Sequence, residues 1–395
     1  MAPASVDEHA AHIARLLALT PGVDTVLLDA GLGRVTAHPI ASPVDLPLFR
    51  NSQMDGFAVR AADVAAPPTS LPIIGEVAAR AADPAPLAAG TAIRIMTGAV
   101  VPEGADAVIP VEDTTSDGGV VTVLRARSAG EYVRERGSDL HAGDELLPAG
   151  QLLGSRHLAA LAAAGITTIE VLSRMRVALI TTGSELIVPG DTPVLGQVFD
   201  SNGTALDAAV RAAGAIVSFR QHVADDTGEM LAALETASQR ADLIVTSGGI
   251  SMGNHEVVRD TLEPLGARVT TIAMQPGGPQ ATAMFAGVPV VCFPGNPVST
   301  QVSFEVFLAP VLRAAAGLPA ARRERRELSH PVMSVAGKRQ FLRGRAVPGS
   351  EHVVELVSGA SSHLVAGLAA SDLLIDIPEA VGSLEAGAEV ETWVL

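Results

Sequence analysis

Five near-continuous apolar runs within residues 176–317, "RVALITTG", "AIVSFRQHV", "ADLIVTSGG", "RVTTIAM" and "VPVVCFPG", alternate with helical segments at about 203–213 and 228–240. A strand that is apolar along its whole length has no face to give to water. The pattern therefore predicts an α/β domain whose mainly parallel sheet is covered by helices on both sides. Right-handed crossovers then bring the strand carboxyl ends, and any ligand, to one edge.

Three of those ends share an unusual chemistry: "TTGSEL" with Thr182, Gly183, Ser184 and Glu185, "SGGIS" with Ser247, Gly248, Gly249 and Ser251, and "PGNPVS" with Pro294, Gly295, Asn296, Pro297 and Ser299. Small residues let the backbone approach a ligand, and amides at a helix start can cradle phosphate without a cationic side chain. Acids decorate the same edge at Glu185, Asp200, Asp225, Asp226 and Glu256. Carboxylates beside a phosphate cradle suit Mg²⁺, which binds through few carboxylates and keeps waters. An Asp-Asp pair is equally an ordinary helix N-cap. GxGxxG and GxxxxGK[ST] are both missing, which removes classical dinucleotide enzymes and P-loop NTPases.

The formal net charge of −16 argues against a generic phosphate-backbone binder, so no nucleic-acid partner is expected. With 395 residues, two to four domains are expected, and 48% hydrophobic but 3% aromatic residues make the packing aliphatic. The single cysteine, Cys292, reads as a core thiol. The first residues do not read as a secretory signal and no apolar run reaches the ~18 residues of a membrane span, so a cytoplasmic location is expected.

Around the α/β region the texture changes. A docking helix is expected over about 6–19, stopped by "TPG", and a small β-rich module over about 43–136, where "LPIIGEV", "TAIRIM", "DAVIPV" and "GVVTVLR" are punctuated by Gly and Pro. "ARRERREL" at 321–328 reads as a linker or exposed helix end. The last ~70 residues suggest a small barrel. "RNSQMDGFAVR", "RIMTGAVVPEGADAVIP" and "RERGSDLHAGD" read as polar loop segments outside the core, and "MDG" alone is compatible with a simple Asx or glycine turn.

Taken together, "NSQMDGFAV", "RIMTGAVVPEGADAVI", "RGSDLHAGD", "TTGSEL", "SGGIS" and "PGNPVS", in this order and spacing over nearly the whole chain, resemble the MoeA-type molybdopterin molybdenumtransferases, the family of the gephyrin E domain. The resemblance implies an N-terminal domain in two parts (1–47 and 137–174), an inserted β-rich lid (48–136), a molybdopterin-binding α/β domain (175–325) and a C-terminal β-barrel (326–395). It implies a homodimer in which the partner's lid helps close the cleft, and transient contact with a molybdopterin adenylyltransferase. The implied reaction takes adenylylated molybdopterin and molybdate, hydrolyses the phosphoanhydride and releases AMP.

By motif match, Asp55, Thr97, Asp139, Glu185 and Asp225 occupy the catalytic positions. Glu185, Asp225, Asp226 and Glu256 are the implied Mg²⁺ ligands, and Asn202 joins the strand-end residues that bind the substrate. An oxyanion pocket maps onto Ser299, Arg343 and Ser362. Where relatives carry three lysines, this chain has Thr271, Gln275 and Gly278, so backbone amides with Gln275, Gln280 and Arg343 are expected to hold the dianion. A molybdopterin adenylyltransferase, a tungstate-inserting paralogue and a gephyrin-like scaffold are the alternative readings.

Overall fold

The computed structural model describes residues 3–18, 22–81, 83–251 and 256–395. The chain divides into two compact units, residues 25–171 and residues 1–24 with 172–395. Among the described residues no helix is long and apolar enough to cross a membrane.

The larger unit is built on a six-stranded sheet with strands β1 (Arg176–Thr182), β2 (Ile216–Val223), β3 (Leu243–Ser247), β4 (Arg268–Thr271), β5 (Pro279–Phe285) and β6 (Val288–Phe293), in spatial order β2-β1-β3-β6-β5-β4. The first four in that order are parallel, and β5 and β4 are added antiparallel. Successive residues face opposite layers. Val177, Leu179, Val245, Val291 and Phe293 enter one cluster; Ala178, Ile180, Ile244, Val290 and Cys292 enter the other. Both faces are therefore apolar, as the uninterrupted runs demanded. Burial pushes the Cys292 thiol up to about 12, which leaves it an inert core group.

The helices of this unit are α1 (Val6–Leu16), α3 (Ser201–Ala212), α4 (Thr227–Ser238), α5 (Val257–Leu262) and α6 (Pro297–Ser303), while α2 (Ser155–Ala163) belongs to the smaller unit. Leu206 and Val210 of α3 and Val298 and Val302 of α6 cover the first face; Met230 and Leu234 of α4 and Val258 and Leu262 of α5 cover the second.

Helix α1 starts in a Ser5–Glu8 capping box and ends at Leu16. Thr20 and Pro21 of the expected stop "TPG" lie outside the described residues. Its His9 is 2% exposed, neither ring nitrogen has a partner, and the ring sits edge-on to Phe307 at 4.7 Å. Burial, followed by the neighbouring His12 and Arg268, lowers its pKa to about 4. In the unfolded chain this group titrates near 6.5, so between those values the unfolded state binds the extra proton. Stability is thus retained above pH 6.5 and declines as pH falls toward 4, by about 3 kcal/mol from this group. Urea unfolding from pH 7 to pH 4 should show His9→Leu losing less stability than the parent; equal losses would remove His9 from the account.

Five strands close a barrel: β7 (Arg323–Leu328), β8 (Arg339–Val347), β9 (Ser350–Leu356), β10 (Leu373–Ile377) and β11 (Glu389–Val394), joined in the circuit β8-β9-β7-β11-β10-β8. Strand β7 corrects the linker reading of "ARRERREL", and the boundary expected at 325 falls within it. Its charges pair across to β11, Arg323 with Glu391 and Arg325 with Glu389, both at 3.0 Å, and Arg323 covers the Trp393 ring. Complementary cross-strand pairs let a charged sequence be a strand. A short strand, Met274–Gln275, adds in parallel to β8 and ties the α/β sheet to the barrel.

The smaller unit holds a six-stranded sheet of its own, in the order 107–110, 56–59, 92–95, 69–77, 120–123, 114–117. Its second strand is "GFAV" of the supposed polar loop. Phe57 and Val59 enter one cluster and Ala58 the other, all 1% exposed or less, so this part of the motif is core. Gly56 is required there: a Cβ would lie 2.0 Å from the Ile109 carbonyl oxygen. The "TAIRIM" and "DAVIP" segments supply the flanking strands, Ala92–Ile95 and Ala107–Pro110.

Candidate active site

The carboxyl ends of β1, β3 and β6 converge through backbone contact. A Cβ at Gly248 would lie 2.7 Å from the Thr182 carbonyl oxygen, and one at Gly295 would lie 3.3 Å from Gly248 Cα. Gly248 also has φ +99°, a left-handed value that glycine accepts without strain. Asn202, in the first turn of α3, clamps two of the ends, its Nδ2 donating to Ser247 Oγ at 2.9 Å and to the Gly295 carbonyl at 2.7 Å. Asn202 is 7% exposed and its Oδ1 has no donor. Ser247, 1% exposed, acts inside this clamp.

The β1 loop is locked reciprocally: Ser184 N donates to Asp225 Oδ2 at 2.9 Å and Asp225 N to Ser184 Oγ at 3.1 Å. The Glu185 carboxylate lies against Gly183, 2.7 Å from where a Cβ would be. Several amides at these ends are already committed: Gly183 N to Val223 O, Gly248 N to Phe293 O, and Ser251 N to the Glu256 carboxylate. The cradle is thus thinner than the Gly/Ser pattern suggested.

These loops line a cleft of about 840 Å³, within the size range of small-molecule sites. Thr182, Gly183, Glu185, Asn202 and Asp225 form one side; Gly248, Gly249, Ser251 and Glu256 the next; Pro294 to Pro297 and Ser299 the third; Gln275 and residues 360–363 of the barrel close the end. Among the described lining residues there is no lysine or arginine, and four carboxylates face one histidine. Asp200, the fourth acid, is 7% exposed and engaged by Thr181 Oγ1 at 2.9 Å and Gly203 N at 2.9 Å, so it holds the start of α3. Asp226 caps α4 through Glu229 N and does not line the cleft. No cluster of three or more His, Cys, Asp or Glu side chains suited to a metal occurs among the described residues. Residues 252–255 of "SMGNHE" lie outside them.

At the barrel end the expected anion binders separate. Ser299 and Ser362 line the cleft, and Val298 N donates to the Ser362 carbonyl at 3.1 Å, fastening the barrel loop to α6. Arg343 is fully buried behind that loop and is not on the wall. It donates to Ser358 Oγ and to the carbonyls of Gly359 and Ser361, while its Nη1 has no acceptor. Gln275 is held by Gln340 at 2.5 Å. Gln280 corrects the expectation: at 0% exposure it donates to Gly277 O and Ser303 Oγ, inside the loop it was expected to serve. Ser361 and His363, bonded to each other at 2.8 Å, also line the cleft; they flank Ser362 in the sequence, and that adjacency is the one signal that could have found them.

The other three catalytic candidates belong to the smaller unit. Asp55 Oδ1 accepts from Thr97 N at 2.7 Å and Thr97 Oγ1 at 2.8 Å, an exposed pair whose two hydrogen bonds lower the Asp55 pKa. Asp139 is exposed on a separate turn, its amide bonded to the Leu46 carbonyl.

Fold and cleft define an α/β protein with a small-molecule-sized cleft at the carboxyl ends of a mainly parallel sheet, its wall completed by a β-barrel loop. Family models match along the chain: the MoeA N-terminal region (domain I and II) at residues 4–165, a probable molybdopterin binding domain at 178–314, and the MoeA C-terminal region (domain IV) at 325–395. Molybdopterin molybdenumtransferase 2 of Mycobacterium tuberculosis is 42% identical over 99% of both chains, and molybdopterin molybdenumtransferase 1 of the same organism is 34% identical over 99% of both. A molybdopterin biosynthesis MoeA protein of Pyrococcus horikoshii superposes with a TM-score of 0.83 at 33% identity, covering 100% of this chain and 99% of that one. The chain belongs to the MoeA family of molybdopterin molybdenumtransferases.

Proposed function

We propose that this chain inserts molybdate into adenylylated molybdopterin, hydrolysing the phosphoanhydride and releasing AMP, as the last step of molybdenum cofactor assembly. The reading rests on the cleft: hydroxyls, main chain and carboxylates surround space for a small molecule, with no lysine or arginine on the described walls. Matches over the N-terminal and C-terminal regions, and not the α/β domain alone, disfavour an adenylyltransferase role, and full-length relatives named as molybdenumtransferases disfavour a scaffold.

An anionic substrate cannot enter a carboxylate-lined cleft without a cation, and the donor set fits Mg²⁺, which takes one or two carboxylates and completes its shell from phosphate and water. Glu185 and Asp225 are the ligands assigned to it, with Glu256 left to its bond with Ser251 N and Asp226 to its helix. Bound there, Mg²⁺ would neutralise charge on the phosphoanhydride. Ser299 and Ser362 donate to the oxyanion. Arg343 stands behind the wall and holds the Ser358–Ser361 loop, so its part at this end is to position that loop. In the homodimer implied by the family, Asp55 and Thr97 of one subunit serve the cleft of the other, where the carboxylate orients the attacking oxygen. A cytoplasmic location belongs to the same reading.

Purified protein given adenylylated molybdopterin, Mg²⁺ and molybdate should release AMP, and EDTA should lower the rate at least about 100-fold, in keeping with electrostatic stabilisation. Tungstate, near-isosteric with molybdate, is run in parallel. No AMP release with either oxyanion would reject the activity, and EDTA-insensitive release would reject the cation.

A further inference from the structure

We propose that Phe199, with Leu186 and Val198, forms the face of the cleft that stacks a flat heteroaromatic ring of the ligand. The proposal deepens the adenylylated-pterin reading and rests on it. The chain has only nine Phe, one Tyr and one Trp. Phe57, Phe293, Phe304, Phe307, Phe341 and Trp393 are all 5% exposed or less, whereas Phe199 is 45% exposed and lines the cleft. Phe49 is similarly open at 43% but does not line the cleft, so Phe199 is the phenylalanine that presents a large open area to it.

The backbone nevertheless fixes its position. Leu186–Ile187 and Val198–Phe199 pair as a two-stranded parallel ribbon, with Val198 N donating to Glu185 O and Asp200 N to Ile187 O, each at 2.9 Å. The ring is therefore anchored in sequence and space between Glu185 and the start of α3. The other walls mix hydroxyls, amides and carboxylates with Ile250, Ala360 and four prolines, and among the described lining residues His363 carries the other aromatic ring, an imidazole narrower than a benzyl face. Adenine and pterin are both flat, and an aromatic side chain stacks either through its π-face. The nearby Val188, Val194 and Leu195 are also exposed, but they do not line the cleft, which separates ring binding from docking of another protein.

Calorimetric titrations of AMP, 6-hydroxymethylpterin and ribose 5-phosphate against the full chain, Phe199→Ala, Phe199→Leu and Phe199→Tyr, with the oligomeric state of each measured in parallel, test this. Phe199→Ala should weaken AMP or the pterin about tenfold, the affected probe identifying the ring, and leave ribose 5-phosphate unchanged. Phe199→Tyr should retain affinity and Phe199→Leu should fall between. Unchanged binding of both ring probes, an equal loss for ribose 5-phosphate, or a weaker dimer with unaltered ring affinity would overturn the proposal. If none of the three probes binds the parent protein, the cleft reading itself fails and this assignment with it.

Discussion

Asp55→Asn is expected to lower the rate of AMP release by about 10²–10³-fold while leaving affinity for adenylylated molybdopterin within about twofold. The asparagine oxygen can still accept from Thr97 N and Oγ1, so the pair and its strand survive the substitution. What disappears is the negative charge. Because those hydrogen bonds hold the Asp55 pKa below the usual aspartate value, the carboxylate is ionised throughout the neutral range. The proposed chemistry uses it in that form, to orient the attacking oxygen. Single-turnover AMP release measured beside substrate binding decides the matter, and an unaltered release rate would rule out the role.

Glu185→Gln should have an effect of similar size with a different signature. Its carboxylate faces the cleft against Gly183, and the amide is nearly isosteric, so the loop should persist. The rate should drop about 100-fold, and the Mg²⁺ concentration needed for half-maximal release should rise, because a carboxylate ligand has been neutralised. A slower rate at unchanged Mg²⁺ dependence would assign Glu185 a role other than holding the ion. The two variants also test the homodimer. If the Asp55 of one subunit serves the cleft of the other, mixing Asp55→Asn with Glu185→Gln subunits rebuilds one intact site per mixed dimer and returns about a quarter of the parent activity. Sites completed within one chain would give no recovery.

Much of this architecture is legible because it follows from side-chain period. Val177 to Ile180 and Val290 to Phe293 alternate between two apolar layers, so an unbroken apolar run was sufficient to predict a covered sheet. The same logic, applied to "GFAV", would have found the strand behind "MDG"; the neighbouring Asn, Ser, Gln and Asp concealed it. "RRERREL" was opaque for another reason. Its charges become a strand only beside Glu389 and Glu391, some 65 residues further along the chain.

The site was legible at the level of loops and less so at the level of atoms. Glycine and serine at three strand ends did announce a close backbone approach. That Ser184 N is committed to Asp225, that Gln280 faces inward, and that Arg343 stands behind the Ser361–His363 loop all depend on three-dimensional contacts with no local sequence signal. Asp225 and Asp226 illustrate the limit: adjacent and chemically identical, one lines the cleft and the other caps α4.

The proposed activity requires the substrate's phosphates at the carboxyl ends of β1, β3 and β6, beside Glu185 and Asp225, with the oxyanion toward Ser299 and Ser362. A crystal structure of the protein with adenylylated molybdopterin and Mg²⁺ tests it directly. The account predicts phosphate density within hydrogen-bond distance of the Thr182–Glu185 and Gly248–Gly249 loops and a cation on at least one of the two carboxylates. Ligand bound outside this cleft, with those loops uncontacted, would contradict it.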